Sequence, residues 1–134
     1  MQTLASRDTV AQLLADWAWA NDTEDLGLIA DILTPDASFS VAIAGETVVG
    51  PLSPREDIVE FIGEALAAQT GQRRHCVSNV RVGDDGFTAY LTIFETADGE
   101  SSLVSTGIYR GAVQTAQDGA AALSALTIEL DRPF

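Results

Sequence analysis

Apolar residues in the first third of the chain recur at helical spacing. In SRDTVAQLLADWAWAND, Val10, Leu13, Leu14 and Trp17 stand at i, i+3, i+4 and i+7, which puts them on one helix face, with Ser6 or Asp8 available as N-cap. Leu26, Ile29, Ala30 and Leu33 repeat that spacing almost without a loop and predict a second helix, stopped by Pro35. The two helices meet around Asn21 and Asp22. The period then changes to two. Phe39, Val41 and Ile43 of SFSVAI share one face and, across Ala44-Gly45, form a short hairpin with ETVVG. SPRE predicts a third helix, with Ser53 as N-cap, Pro54 at the first helical position and Glu56 completing a capping box. Its buried stripe is Ile58, Phe61, Ile62, Ala65 and Leu66, and it ends near Thr70-Gly71.

Beyond that point the pattern alternates as strands do. Hairpin signals at GDDG (83–86), ADG (97–99) and QDG (117–119) divide it into strands near 73–82, 87–96, 101–115 and 121–131. Turns that join long neighbours predict an antiparallel meander. Helices segregated from such a sheet make an α+β domain in which the helices cover one sheet face. A long twisted sheet curls around them, and the space between is the natural place for a concave, mostly apolar pocket. No internal repeat, low-complexity tract or linker interrupts the order. One domain over residues 1–134 is expected, long enough to bury a core without disulfides or metals.

Composition narrows the function. The chain is 46% hydrophobic and 20% charged, as globular proteins are. Its 20 acidic residues face 7 basic ones, all arginine, for a formal charge of -13. Such a field repels phosphate backbones and anionic lipid, so neither nucleic acid nor membrane is an expected partner. The absence of lysine excludes Schiff-base chemistry through that side chain. No apolar run approaches the roughly 20 residues of a membrane span, and MQTLASRDTV has neither the basic region nor the apolar core of a signal peptide. A cytoplasmic protein is expected, in keeping with a lone cysteine that can form no internal disulfide.

That cysteine adjoins the single histidine, in RRHCVSNVRV (73–82). Strand alternation puts His75, Val77, Asn79 and Arg81 on one face and Cys76, Ser78, Val80 and Val82 on the other. His75 and Cys76 are therefore no nucleophile–base pair, and Cys76 reads as a small buried hydrophobe. One histidine and one cysteine facing apart make no zinc or iron site, and no metal is expected. No phosphate-cradling glycine loop or nucleophile elbow is present. The acid that could reach His75 is Asp22, in WANDTEDL, on the helical line of Leu14 and Ala18. A second reading is open for each residue: Asp22 as cap of the second helix with Asp25 at its third position, and His75 as a hydrogen-bonded core imidazole.

The element order, WAWANDTEDL and RHCVSN together resemble the SnoaL-like branch of the nuclear transport factor 2-like superfamily over essentially the whole chain. The resemblance implies a cone-shaped α+β fold of the cystatin-like type, a curved antiparallel sheet wrapped around three helices from the N-terminal half. The two stretches look like the segments of scytalone dehydratase and hexachlorocyclohexane dehydrochlorinase that carry an aspartate and a catalytic histidine. The resemblance thus implies a cofactor-independent lyase or isomerase, with His75 as general base and Asp22 orienting and supporting it. Histidine suits that work, with a reference pKa near ~6.5. Trp17, Phe39, Val41, Leu66, Leu91 and Ile93 are the expected apolar wall, and Asn21, Asn79 and Ser105 the candidate polar groups toward substrate. The chain departs from scytalone dehydratase in having Asn21 before Asp22, Phe39 and Val41 on the first strand and no second histidine, so scytalone is not its expected substrate. A small ligand, apolar or of aromatic or carbonyl type, no cofactor, and a homo-dimer or homo-trimer are expected. The alternative within the branch is a non-catalytic ligand-binding domain, or a small assembly subunit like the beta subunit of ring-hydroxylating dioxygenases.

Overall fold

A computed structural model describes residues 5–133; the start of the stretch read for a leader lies outside them. Helix α1 spans Arg7–Asp22, and its N-cap is Ser6, whose hydroxyl oxygen accepts from the Thr9 N–H at 3.1 Å. Val10, Leu13, Leu14 and Trp17 are all buried, as their spacing predicts. Helix α2 is a short turn and a half, Leu26–Asp31. Its N-cap is Asp25, which accepts from the Leu28 N–H, so Asp22 is not the cap. The helix stops before Pro35, and Leu33 is buried instead as the first residue of strand β1 (Leu33–Ile43).

Strand β2 (Glu46–Leu52) returns across the Ala44-Gly45 turn, and helix α3 spans Arg55–Ala67. The capping box at its start is not formed. Pro54 occupies the cap position without a side-chain hydrogen bond, and the Ser53 hydroxyl donates to the Asp36 carbonyl at 3.5 Å. Of the predicted stripe, Ile58, Ile62 and Leu66 are buried, while Phe61 and Ala65 are half-buried.

Four long strands complete the chain: β3 (Gln72–Gly83), β4 (Gly86–Ala97), β5 (Glu100–Thr115) and β6 (Ala121–Leu130). They form the expected antiparallel meander, but the sheet is mixed. Its order is β2-β1-β6-β5-β4-β3, and β1 lies parallel to β6, with Phe39 opposite Leu126 and Val41 opposite Ile128. Hairpin signals report only sequence neighbours, so this long-range pairing left no mark on the local pattern.

Strand β3 is interrupted by a bulge. The pairing with β4 shifts register between Ser78 and Arg81, and Asn79 takes a left-handed backbone conformation at φ 54°. An extra residue reverses the alternation beyond it. His75 and Val77 face inward before the bulge, Val80 and Val82 face inward after it, and Asn79 and Arg81 are exposed. This overturns the expected inward Asn79 and outward Val80 and Val82. Cys76 is exposed rather than buried, because it sits on the outer face of the sheet.

Helix α1 packs across β3, and α3 packs on β1 and α2, all on the concave side of the curved sheet. Trp17, Phe39, Tyr109, Leu91, Leu123 and Leu126 are each no more than 2% exposed. Burying an apolar side chain of this size stabilises by about 1.5–3 kcal/mol. The Trp17 and Phe39 rings meet at 5.7 Å between centroids and Phe39 meets Phe61 at 6.1 Å. This row joins α1, β1 and α3 and forms the floor of the site.

Candidate functional site

The last turn of α1 brings Asp22 over the start of β3. A carboxylate there gains nothing from the helix dipole, whose C-terminal end is negative. Its contacts lie on the strand. Asp22 Oδ2 accepts the His75 backbone N–H at 3.0 Å, and Asp22 Oδ1 stands 2.6 Å from His75 Nδ1. The Gln72 side chain adds a bond to the Asp22 carbonyl at 3.0 Å. Strand β3 is a sheet edge, where alternate N–H groups have no strand partner, and Asp22 takes the one at His75.

Both side chains are largely enclosed, His75 at 13% exposure and Asp22 at 10%. An ionised carboxylate only accepts, so His75 Nδ1 carries the hydrogen in this pair. In that tautomer a neutral imidazole has its lone pair at Nε2, which makes no hydrogen bond to a described residue. A contact of 2.6 Å between an N–H and a carboxylate is at the short end for a charge-assisted bond.

The imidazole lines a narrow cavity of about 80 Å³ between the helices and the sheet. Trp17, Asn21, Phe39, Val41, Leu66, Leu91 and Ile93 all line it. Asn79 and Ser105 do not. Asn79 is turned out by the bulge, and Ser105 is fully buried behind the wall, where its hydroxyl donates to the Arg132 carbonyl at 2.8 Å. The reading missed Gln69 and Arg73 at the polar end, and Phe61, Ile62, Ala65, Ile128 and Leu130 in the wall. A signal existed for most of them. Phe61, Ile62 and Ala65 belong to the stripe read for the third helix, and Arg73 shares the face of His75 by strand alternation.

Asn21 is held in place by its Nδ2, which donates to the Trp17 carbonyl at 2.8 Å. Arg73 Nε faces Glu95 Oε1 at 3.4 Å. Behind the wall, Tyr109 is fully buried and its Oη has no hydrogen-bond partner of normal geometry among the described residues. Its phenol is pushed far above the usual tyrosine range, first by burial and then by the negative charge of Asp22. The Trp17 indole N–H, donating toward the phenol oxygen in poor geometry, opposes that shift. No group of three or more His, Cys, Asp or Glu able to hold a metal occurs among the described residues. No helix among them is long and apolar enough to cross a membrane.

Comparison with known proteins follows the same lines. Residues 2–121 match the SnoaL-like domain family. No curated protein matches the sequence. Among solved structures, the beta subunit of a putative aromatic-ring-hydroxylating dioxygenase from Novosphingobium aromaticivorans superposes with a TM-score of 0.78 at 18% identity, covering 93% of this chain and 88% of that one. ActVI-ORFA from Streptomyces coelicolor gives 0.75 at 16% identity, over 92% and 96%. LinA gives 0.73 at 18% identity, over 96% and 88%. At these identities the likeness is one of fold.

Proposed function

The chain belongs to the SnoaL-like domain family, and from that premise we propose that it is a cofactor-independent lyase or isomerase in which His75 takes a proton from carbon and Asp22 orients and supports it. The observation that carries this reading is the two-point grip of Asp22 on His75, at Nδ1 and at the backbone N–H. Held so, the imidazole cannot swing or change tautomer, and Nε2 is the basic nitrogen left for a ligand in the cavity. As the imidazolium forms, the adjacent carboxylate stabilises it. The enclosing wall of Trp17, Phe39, Val41, Leu66, Leu91 and Ile93 suits a compact, largely apolar or aromatic substrate carrying a carbonyl group.

Deuterium exchange at the carbon beside the carbonyl of small ketones, cyclohexanone and cyclohex-2-enone among them, tests the base directly. Wild type is expected to exceed His75→Gln by about 10²–10⁴-fold. Equal exchange by the two proteins would remove His75 from the role.

The reading includes self-association through the outer sheet face. Tyr90, Phe94 and Leu103 are 55%, 42% and 45% exposed there, and Phe94 lies directly opposite Leu103 across β4 and β5. The same patch favours a second reading, a non-catalytic assembly subunit. Absence of exchange together with a stable complex with a larger chain would decide for that alternative.

A further inference from the structure

Removing a proton beside a carbonyl leaves negative charge on oxygen, and the dyad has nothing to receive it. Asp22 is itself anionic. Asn21 has one amide N–H committed to the Trp17 carbonyl, and the amide carries no charge with which to balance an oxyanion. Ser105 points at the Arg132 carbonyl from behind the wall. Asn79 is on the outer side of the bulge.

We propose that Arg73 is the electrophilic partner of this chemistry, receiving the oxyanion that develops on the substrate's carbonyl oxygen. The inference rests on the proton-abstraction reading and names its substrate class, a compact carbonyl compound with an acidic C–H next to the carbonyl. Arg73 is the one arginine that lines the cavity, and its side chain is 15% exposed. It stands two residues before His75 on the same face of β3. Two residues along a strand span about 6.6 Å, enough for a C–C=O unit to lie with its carbon at one side chain and its oxygen at the other. Glu95 at 3.4 Å from Nε fixes the guanidinium against β4.

In the step, His75 Nε2 takes the proton, the C–H electron pair becomes a C=C bond, and the carbonyl π pair moves to oxygen as an enolate facing Arg73. Collapse of the enolate restores the C=O. In a β,γ-unsaturated ketone the enolate is a dienolate, and its electron pair takes the proton back from His75 at the γ carbon, which is isomerisation. In a β-substituted ketone the pair forms a Cα=Cβ bond as the β group leaves with its bonding electrons and takes up the imidazolium's proton, which is elimination. Imidazolium and enolate appear together, so the site's net charge is unchanged. Near Asp22 and Glu95, in a chain of formal charge -13, an enolate has no other permanent cation lining the cavity.

The test uses an oxyanion and its neutral counterpart, 4-nitrophenolate and nitrobenzene, with binding read by quenching of tryptophan emission, since Trp17 lines the cavity. Arg73→Gln is expected to weaken 4-nitrophenolate about 10- to 100-fold, as loss of a hydrogen bond to a charged group does, while nitrobenzene changes less than about twofold. Arg73→Lys should recover part of the phenolate affinity. Glu95→Gln, which removes the partner and keeps the cation, should retain it. Equal weakening of both ligands by Arg73→Gln, or no weakening of either, overturns the proposal. So does a Glu95→Gln variant that loses phenolate as fully as Arg73→Gln, for then the ion pair acts only as structure. The two readings separate cleanly. Unchanged ketone exchange in His75→Gln removes the base and leaves a phenolate preference at Arg73 standing. Lost exchange in His75→Gln with a phenolate preference indifferent to Arg73 removes Arg73 alone.

Discussion

Asp22 accepts two hydrogen bonds from a single residue, and the amide of asparagine can supply only one acceptor. In Asp22→Asn the N–H₂ group is left facing either the His75 N–H or Nδ1–H, donor against donor. The ring then loses its fixed tautomer and its stabilising charge. Ketone exchange is expected to fall about 10²–10⁴-fold while the fold persists by circular dichroism. Exchange retained within a few-fold would mean that the carboxylate serves the strand and not the ring. Tyr109 carries the opposite expectation. Its hydroxyl is buried without a partner of normal geometry, and such a group costs about 1–3 kcal/mol in desolvation. Tyr109→Phe is therefore expected to hold or raise the melting temperature. Burial raises this phenol above its unfolded value of about 10. The folded state thus keeps a proton that the unfolded chain gives up as pH rises. Stability from this group is complete below pH ~10 and declines above it by about 1.4 kcal/mol per pH unit. Denaturant melts above that pH should show a flatter decline for Tyr109→Phe than for wild type; identical slopes would place the titration elsewhere. The pairing of Asp22 with His75 was legible as a match of two short stretches. The poorly partnered hydroxyl was not, because a tyrosine on a strand reads simply as apolar bulk.

At the scale of elements, periodicity located each helix and each long strand, since burial of one face imposes it. What it missed were the places where the count of residues and the count of positions differ. Asn79 is the case with consequences for the site. Alternation carried through the bulge put Asn79 inward beside His75, whereas the inserted residue sends Asn79 out and brings Val80 and Val82 in. The only local hint was the residue type, because asparagine tolerates the left-handed conformation better than most. Asn79→Gly should be nearly neutral. Asn79→Val, β-branched at φ 54°, should cost about 1–3 kcal/mol by chemical denaturation. Comparable stability in the two variants would show that the backbone relaxes out of that conformation. The Ser53 cap failed for a different reason: the hydroxyl found the Asp36 carbonyl on β1, a tertiary partner invisible to local pattern. The parallel pairing of β1 with β6 is likewise tertiary.

For the whole molecule, the charge of -13 and the placement of the arginines bear on the proposed self-association. Two copies carrying that charge repel, and the repulsion is least where cations gather. Arg74, Arg81 and Arg110 are exposed on the outer sheet face, beside Tyr90, Phe94 and Leu103. Arg110 is paired there with Glu129 at 2.7 Å, an exposed contact that salt screens readily. An interface on this face therefore joins an apolar centre to a surface relieved of the general acidity, while the rest of each copy still repels the other. Salt shortens the reach of that repulsion from about 30 Å at 0.01 M to about 3 Å at 1 M and leaves apolar burial intact. Association is thus expected to strengthen with salt, the reverse of an interface held by ion pairs. Light scattering across that range should show the mass rising, and Phe94→Glu, which sets a charge against Leu103 in the centre of the patch, should return the protein to monomer at every salt concentration. Assembly that weakens with salt, or that persists unchanged in Phe94→Glu, would place the contact on another face and free the outer sheet for a different partner.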